Sequence, residues 1–84
     1  MSWYLYMLRC ADDSIYTGIT NDLERRLEEH NHDNKKASRY TRARRPVNLI
    51  YKEPYEDRAT ASQREYQCKQ LTRSEKLKLL ALNE

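Results

Sequence analysis

The apolar run from Trp3 to Leu8 is the feature that most constrains what this chain can fold into. Successive side chains of a strand point to opposite faces, and both faces of this run are largely apolar. One face has Trp3, Leu5 and Met7, and the other has Tyr4, Tyr6 and Leu8. A strand that is apolar on both faces is typical of the middle of a sheet. We therefore predict a central strand with helices covering at least one side of the sheet.

Several classes of protein are excluded by the sequence. The run from Trp3 to Leu8 is the longest apolar stretch, and it is far shorter than the roughly 20 residues of a membrane-spanning helix. The start of the chain has no basic leader with a small-residue cleavage site, so we expect no secretion. Cys10 and Cys68 stand alone without a CxxC pair, which favours reduced thiols. We therefore expect a cytoplasmic protein without a membrane segment.

Length and charge narrow the choice further. At 84 residues the chain is too short to divide into two parts that each bury a stabilising core, so we expect one domain over residues 1–84. The 16 Lys and Arg against 13 Asp and Glu give a net charge of +3, which is compatible with a polyanionic ligand without requiring one. The aromatic residues are 7 Tyr and 1 Trp. Tyrosine hydroxyls need partners when buried, so some of them act outside packing or they occupy half-buried strand positions.

The rest of the chain divides into strand and helix patterns. A turn-forming segment, Ala11–Ser14, separates the first strand from a second β-branched and aromatic run, which predicts a hairpin. Asn21 three residues before Glu24 is a capping pattern that predicts a helix. The segment from Asp33 to Arg45 lacks periodicity and is rich in Lys and Arg, which indicates a basic loop. We predict strands at Trp3–Arg9, Ile15–Ile19 and Pro46–Lys52, and helices at Asp22–Asn31, Ala59–Leu71 and Glu75–Leu82. Thr72 or Ser74 should cap the last helix, whose apolar stripe is Leu77, Leu80 and Ala81.

Two polar residues lie on the face of the first helix that should be buried. At about 100° per residue, Leu23 and Leu27 define that face, and His30 falls between them. Arg26 lies on the flank of the same face. Arg26 could simply extend along the sheet, and His30 could be a hydrogen-bonded core histidine. The alternative is that both are aimed at a functional site at the sheet edge.

A carboxylate is placed in the same way on the second long helix. Ala61, Cys68 and Thr72 mark its apolar face, and Glu65 falls in the middle of that face. Buried carboxylates are rare unless they are paired or bind a metal. Glu65 therefore pairs with an arginine, binds a hard cation, or acts as an acid or base.

The glycine and the basic loop each have two interpretations. Gly18 is the only glycine of the chain, and a glycine in a strand often marks a bulge or the close approach of a ligand to the backbone. Tyr40 lies within the basic loop, and aromatic and basic side chains together suit phosphate contacts with base or sugar stacking. A merely solvated charged loop is the alternative.

In their order and spacing, these residues resemble the GIY-YIG nuclease superfamily. The matching segments are Tyr4-Leu5-Tyr6, Tyr16-Thr17-Gly18, Arg26 and His30 on the next helix, and Glu65 on a later helix. Residues 16–27 with His30-Asn31 are particularly similar to small stand-alone bacterial members and to the nuclease domain of structure-specific junction endonucleases. Tyr40-Thr41-Arg42 and Glu65-Tyr66, followed by Lys69 and Leu71, resemble the same subfamily. The resemblance covers almost the entire chain.

The resemblance implies an α+β fold in which a small three-stranded antiparallel sheet is flanked by about three helices. It also implies a metal-dependent phosphodiesterase site with Tyr6, Tyr16, Arg26, His30 and Glu65 as catalytic residues. Glu65 would hold one Mg²⁺ or Mn²⁺, and Arg26 would neutralise charge on the phosphorane. Tyr6 or His30 would deprotonate the attacking water, and Tyr16 would position water or phosphate. Gly18 would leave room for the substrate backbone.

The implied partner is nucleic acid, with DNA expected as the substrate. Larger members carry additional DNA-binding domains, for which this chain has no room. We therefore expect low intrinsic sequence specificity, and a protein partner could supply it. The predicted nucleic-acid contacts are Gly18, Lys35, Lys36, Arg39, Tyr40, Arg42, Arg44, Arg45 and Lys69.

Two other functions fit parts of the sequence. The basic segment Lys35–Arg45 would also suit a nucleic-acid-binding or adaptor module that keeps the fold without turnover. A zinc site could be formed by Cys10, His30, His32 and Cys68, although these residues lack the usual finger spacing.

Overall fold

The computed structural model describes residues 2–82 of the chain. Its elements are β1 (Trp3–Arg9), β2 (Ile15–Thr20), α1 (Leu23–His32), α2 (Arg39–Arg42), β3 (Asn48–Tyr55), α3 (Arg58–Lys69) and α4 (Arg73–Leu82). The strands form an antiparallel sheet in the order β2-β1-β3, so the apolar first strand is central, as predicted. Within residues 2–82, no helix is long and apolar enough to cross a membrane.

Helices cover both faces of the central strand, which confirms the α+β architecture. On one face Leu5 and Met7 pack with Cys68 of α3. On the other face Tyr6 and Leu8 pack with leucine side chains of α1. Full burial of an apolar side chain contributes about 1.5–3 kcal/mol, so β1 stabilises the core on both sides of the sheet.

Helix α1 begins at Leu23 because Asp22, not Asn21, caps it. The Asp22 carboxylate accepts a hydrogen bond from the backbone N–H of Arg25 at 3.1 Å. The Asn21 side chain instead accepts one from the Arg25 guanidinium at 3.1 Å. Leu23 packs against the sheet and His30 is fully buried, so the predicted orientation of this helix is confirmed.

The predicted basic loop contains a short helix, α2, which brings the described helices to four rather than about three. Ser38 caps it by accepting a hydrogen bond from the backbone N–H of Thr41 at 3.1 Å. Thr41 is fully buried, whereas Arg39 and Arg42 are exposed. The expectation of a continuous loop was wrong here because α2 has only 4 residues, too few to show a helical period.

Strand β3 spans Asn48–Tyr55 instead of the predicted Pro46–Lys52. Val47 lies outside it, with its backbone paired to the side-chain amide of Asn31. The N–H of Val47 donates to Asn31 Oδ1 at 2.8 Å, and Asn31 Nδ2 donates to the Val47 carbonyl at 3.0 Å. At the other end, Pro54 is tolerated because β3 is an edge strand, where a missing N–H need not interrupt the ladder.

Side-chain caps also set the starts of the last two helices. Asp57 accepts a hydrogen bond from the backbone N–H of Thr60 at 2.8 Å, so α3 begins at Arg58. Thr72 and Glu75 form a reciprocal capping box, with side-chain-to-backbone hydrogen bonds of 3.2 and 2.9 Å. Thr72, rather than Ser74, is therefore the cap of α4.

The predicted apolar faces of these helices were wrong in part. Thr72 is exposed and lies beyond the end of α3, so it does not extend the face marked by Ala61 and Cys68. In α4, Leu79 and Leu80 pack against the core, whereas Leu77 is 40% exposed and Ala81 is exposed. The helix therefore contacts the core through a face that is rotated from the predicted stripe.

A buried hydroxyl in β2 allows a test of the packing. Thr17 is 3% exposed, and its Oγ1 is buried without a hydrogen-bond partner in the described part of the chain. Thr17→Val keeps the shape and removes the unsatisfied oxygen, so we expect it to raise the free energy of unfolding by about 1 kcal/mol. Urea unfolding measures this. Thr41→Val is the matched control and should destabilise, because the Thr41 hydroxyl is bonded to His30 at 2.8 Å. A loss of stability in Thr17→Val would contradict the prediction.

Candidate active site

Four of the predicted catalytic side chains lie together on the α1 side of the sheet. The ring centroids of Tyr6 in β1 and Tyr16 in β2 are 6.3 Å apart. The His30 ring lies 5.9 Å from the Tyr6 ring and 5.2 Å from the Tyr16 ring. Arg26 precedes His30 by one helical turn and is close enough to Tyr6 to affect the ionisation of its hydroxyl. The adjacent strands and α1 thus bring together residues that are distant in sequence.

A continuous hydrogen-bond chain runs inward from Tyr6. Its hydroxyl lies 2.8 Å from His30 Nε2, and His30 Nδ1 lies 2.8 Å from Thr41 Oγ1. The Thr41 hydroxyl in turn is placed to donate to the backbone carbonyl of Ser38 at 3.2 Å. His30 is fully buried and both of its ring nitrogens are bonded. It is therefore a hydrogen-bonded core histidine that also contacts the site.

The contacts of Thr41 favour one His30 tautomer. A Thr41 hydroxyl that donates to the Ser38 carbonyl at 3.2 Å presents lone pairs to its other neighbours, Ser38 Oγ at 2.9 Å and His30 Nδ1 at 2.8 Å, and so accepts from Nδ1–H. Burial first, and then the positive charge of Arg26, lower the pKa of His30 to about 4. The imidazole is therefore neutral at pH 7, and Nε2 is left to accept the hydrogen bond from the Tyr6 hydroxyl.

The low pKa of His30 predicts a loss of stability in mild acid. An unfolded histidine titrates near pH 6.5, whereas folded His30 titrates near 4. Between pH 7 and pH 5 the unfolded chain therefore takes up a proton that the folded chain does not, which should lower the free energy of unfolding by about 2 kcal/mol. Urea unfolding at both pH values measures this. His32→Gln is the control and should retain the loss, because His32 is exposed. Equal stability at both pH values would contradict the prediction.

The Tyr6 hydroxyl lies where several charged groups act on it. Burial raises the pKa of Tyr6, and the neighbouring Tyr16 and the Glu65 carboxylate raise it further. The neighbouring Arg26 guanidinium opposes this rise. The effect of Glu65 of α3 on this hydroxyl is the weakest of these, and the recorded contact of the Glu65 carboxylate within residues 2–82 is with Lys69. Its membership of the site stays a prediction.

Glu65 does not pair with an arginine, one of the alternatives that its position had left open. Its recorded ion-pair partner within residues 2–82 is Lys69, with 3.5 Å between Lys69 Nζ and Glu65 Oε2. The Glu65 side chain is 25% exposed. Its carboxylate is therefore available to a further ligand.

The arginine beside Glu65 is used elsewhere. Arg64 donates two hydrogen bonds to the Glu53 carboxylate of β3, at 2.9 and 3.1 Å. The hydroxyl groups of Tyr51 and Tyr55 also donate to that carboxylate. This network connects α3 to the edge strand β3.

Arg26 is held by contacts on α1 and on the following segment. Its Nη1 donates to the Glu29 carboxylate at 2.9 Å and to the backbone carbonyl of Lys36 at 2.8 Å. The side chain is 24% exposed. A partly exposed guanidinium with a fixed position is able to bind a phosphate from solvent.

Gly18 makes room for the side chain of Tyr6. It pairs with Tyr6 across the strands, and a Cβ at Gly18 would lie 2.6 Å from the Tyr6 hydroxyl oxygen and 2.8 Å from Tyr6 Cζ. The Tyr6 ring thus gives a structural reason for this glycine, and the contact of Gly18 with substrate stays a prediction.

The basic segment divides into structural and free side chains. Arg44 donates to Asp12 at 3.0 Å and lies 3.9 Å from the Tyr40 ring centroid, and Tyr40 in turn lies beside Tyr16. Arg45 donates to the backbone carbonyls of His30 at 2.7 Å and of Asp33 at 3.0 Å, and to the side-chain oxygen of Asn34 at 2.7 Å. Arg44 and Arg45 thus stabilise the segment itself, and Arg42 donates to the Asn34 carbonyl. The exposed residues whose side chains have no recorded partner within residues 2–82 are Lys35, Lys36 and Arg39.

The four residues of the zinc alternative do not come together. Cys68 packs with Leu5 on one face of the sheet, whereas Cys10 packs with Tyr6 on the other. His32 is exposed. Within residues 2–82, no group of three or more His, Cys, Asp or Glu side chains is placed to hold a metal ion. The zinc hypothesis is therefore wrong for this fold.

Sequence analysis missed Thr41, Ser38 and Asn31. Thr41 orients His30, Ser38 places Thr41, and Asn31 joins α1 to Val47. The available signal was the Ser-x-x-Thr spacing, which is compatible with an N-cap. No local sequence pattern indicated that Thr41 would form a hydrogen bond with His30 of another helix.

The three-stranded antiparallel sheet with helices on both faces makes this a small α+β domain, and it carries a cluster of Tyr and His rings beside Arg26 on its α1 side. The chain belongs to the GIY-YIG family, because the sequence model of the GIY-YIG catalytic domain matches residues 2–78.

Similar proteins are found among bacterial UPF0213 proteins. One from Desulfotalea psychrophila is 48% identical over 83 residues, covering 99% of this chain and 74% of the relative. One from Clostridium perfringens is 49% identical over 78 residues, covering 93% of this chain and 82% of the relative. The solution NMR structure of a UPF0213 protein from Bacillus halodurans matches with a TM-score of 0.63 at 38% identity, covering 98% of this chain and 85% of the other. This solved structure therefore shares the fold seen here.

Proposed function

We propose that this protein is a metal-dependent endonuclease that hydrolyses DNA phosphodiester bonds with low intrinsic sequence specificity. The observation that carries the proposal is the cluster of Tyr6, Tyr16 and His30, whose ring centroids lie 5.2–6.3 Å apart on the α1 side of the sheet, with the Tyr6 hydroxyl 2.8 Å from His30 Nε2. A hydroxyl that moves a proton, a guanidinium and a carboxylate are groups that phosphodiester hydrolysis uses. The match to a catalytic-domain family supports the same conclusion.

A single Mg²⁺ or Mn²⁺ fits the donor set at Glu65. Mg²⁺ is commonly bound by one or two carboxylates, with water and substrate phosphate oxygens completing its shell. Glu65 offers one partly exposed carboxylate, whose recorded ion pair within residues 2–82 is the 3.5 Å contact with Lys69. When bound, the ion supplies Lewis-acid stabilisation of the scissile phosphate.

The contacts favour Tyr6 over His30 as the group that takes a proton from water. His30 is fully buried, and its Nε2 faces the Tyr6 hydroxyl. In the proposed reaction, Tyr6 takes the proton of the attacking water in its phenolate form, which the neighbouring Arg26 favours against the burial that raises its pKa. His30 stays neutral and holds the Tyr6 hydroxyl through the 2.8 Å contact with its Nε2. Thr41 orients the His30 ring through Nδ1.

The remaining groups bind and orient the substrate. Arg26 would neutralise charge that develops on the phosphate. Tyr6 is 2% exposed, whereas Tyr16 is half-buried, so Tyr16 is the more accessible tyrosine and would position water or phosphate. Lys35, Lys36 and Arg39 are exposed and suit contacts to the phosphate backbone. A protein partner that supplies specificity remains part of this proposal.

We also propose a cytoplasmic location. The two cysteines, Cys10 and Cys68, are free and buried in clusters on opposite faces of the sheet. They are therefore not placed to form a disulfide with each other, and reduced thiols suit a reducing compartment.

Cleavage assays test the proposed activity. A panel of labelled single-stranded, duplex, flap and branched DNAs is incubated with Mg²⁺, with Mn²⁺ or with EDTA. We expect cleavage of at least one substrate that requires the metal. Folded protein that binds DNA in a salt-sensitive way without cutting any substrate would overturn the proposal and favour a binding module.

A further inference from the structure

We propose that a groove lined by Trp3, Arg25 and Arg58 binds the nucleotide next to the scissile phosphate, an inference that rests on the proposed nuclease function. The groove has a volume of about 370 Å³. It lies where β1 begins and β2 ends, and both α1 and the start of α3 contribute to its walls. Arg26 also lines it, so the groove adjoins the candidate active site. The predicted nucleic-acid contacts of the basic segment lie elsewhere.

Trp3 provides a flat apolar surface in this groove. It is the only tryptophan of the chain, yet it is half-buried and belongs to neither of the two hydrophobic clusters of the described residues. The Arg58 guanidinium lies 5.6 Å from its ring centroid, a looser contact than the 3.9 Å between Arg44 and Tyr40. An exposed arginine at that distance is able to move aside, so the indole can stack on a nucleobase.

Arg58 is placed where helix formation alone would disfavour it. It is the first residue of α3, and the first turn of α3 contains no acidic residue. A cation at this end opposes the helix dipole, whose N-terminus carries partial positive charge. Within residues 2–82, Arg58 has Trp3 as its recorded contact and no acidic partner. Its guanidinium therefore remains available to an anion.

The other charges of the groove also leave an excess of positive charge. Arg25 and Arg26 share the single carboxylate of Glu29, at 3.7 and 2.9 Å. Three guanidinium groups thus line the groove with one carboxylate. Arginine binds phosphate strongly through paired hydrogen bonds. A ligand with one phosphate and one flat ring matches this surface, which is the chemistry of a nucleotide.

Trp3 itself reports on this binding, because it is the only tryptophan. In the intact protein carrying Glu65→Gln, with EDTA present, Trp3 emission is followed during titration with a short oligodeoxythymidylate. We expect saturable quenching of the emission. Adding Arg58→Gln should raise the dissociation constant several-fold and reduce its salt dependence, because one phosphate contact is lost. Arg9→Gln is the matched control and should leave binding unchanged, because Arg9 is an exposed arginine outside the groove.

Cleavage kinetics separate this inference from the proposed function. In otherwise unchanged protein, Trp3→Leu should raise KM with little effect on kcat, and Trp3→Phe should restore most of the affinity because it keeps a stacking ring. Anisotropy can show that the oligonucleotide binds while Trp3 emission does not change. If that is found, and the Arg58→Gln protein cuts DNA like the unmodified protein, the proposed groove is wrong and the nuclease proposal is retained. If Trp3 is quenched but no DNA is cut, the nuclease proposal fails and the nucleotide site remains. Absence of any binding overturns the groove.

Discussion

Glu65→Gln lowers the rate of metal-dependent DNA cleavage by roughly a thousand-fold, which is the largest effect that we expect on activity. A bound metal supplies several kcal/mol of transition-state stabilisation, and about 1.4 kcal/mol corresponds to each factor of ten in rate. Glutamine has the same shape as glutamate but lacks the negative charge that holds the ion. Single-turnover cleavage at saturating metal measures the loss directly.

The fold itself should tolerate Glu65→Gln. The substitution weakens only a partly exposed ion pair of 3.5 Å with Lys69, and such pairs contribute about 0–1 kcal/mol. Thermal unfolding should therefore be nearly unchanged. Glu24→Gln is a control for charge, because Glu24 is an exposed glutamate in the first turn of α1 and should retain full activity. A Glu65→Gln protein that cuts at a rate within tenfold of the unmodified one would contradict a metal at Glu65.

Gly18→Ala has the largest expected effect on stability. The added Cβ would lie 2.6 Å from the Tyr6 hydroxyl oxygen and 3.2 Å from Tyr16 Cε2. Tyr6 has little freedom to move, because it is 2% exposed and its hydroxyl is bonded to His30. Overpacking of this kind costs about 3 kcal/mol, which corresponds to a fall in Tm of more than about 10 °C for a domain of this size. Differential scanning calorimetry measures the change.

Repeating Gly18→Ala in a Tyr6→Ala protein shows whether Tyr6 causes the loss of stability. Tyr6→Ala removes the ring that the new Cβ would meet, so Gly18→Ala should cost much less in this background than in the original one. The difference between the two costs is the coupling energy of the two positions. An equal loss in both backgrounds would show that Gly18 is required by the strand for another reason.

Several parts of the fold could be predicted because their signals are local. The two apolar faces of Trp3–Leu8 predicted a central strand, and the leucine spacing of α1 predicted which side of that helix is buried. Both patterns depend on the fixed geometry of one element. The sequence also singled out Arg26, His30 and Glu65 as polar residues on faces that should be buried. Their roles in catalysis stay a prediction.

Other features depend on contacts between distant segments. The α2 helix has only 4 residues. It contacts the candidate site through the hydrogen bond between Thr41 and His30, which lies eleven residues earlier in the sequence. Arg44 and Arg45 looked like free cations, but the fold uses them against Asp12 and backbone carbonyls. No local pattern distinguishes an arginine that binds its own chain from one that binds a ligand.

The sequence by itself determined the alternation of strands and helices, the central place of β1 and the polar residues that face inward. These properties follow from side-chain periodicity, which is a property of short segments. The tertiary structure decided that Gly18 makes room for Tyr6, that Thr41 orients His30 and that Glu53 rather than Glu65 is the carboxylate that pairs with an arginine. These properties depend on distances of a few ångströms between segments far apart in the chain, and only packing of the complete fold sets such distances.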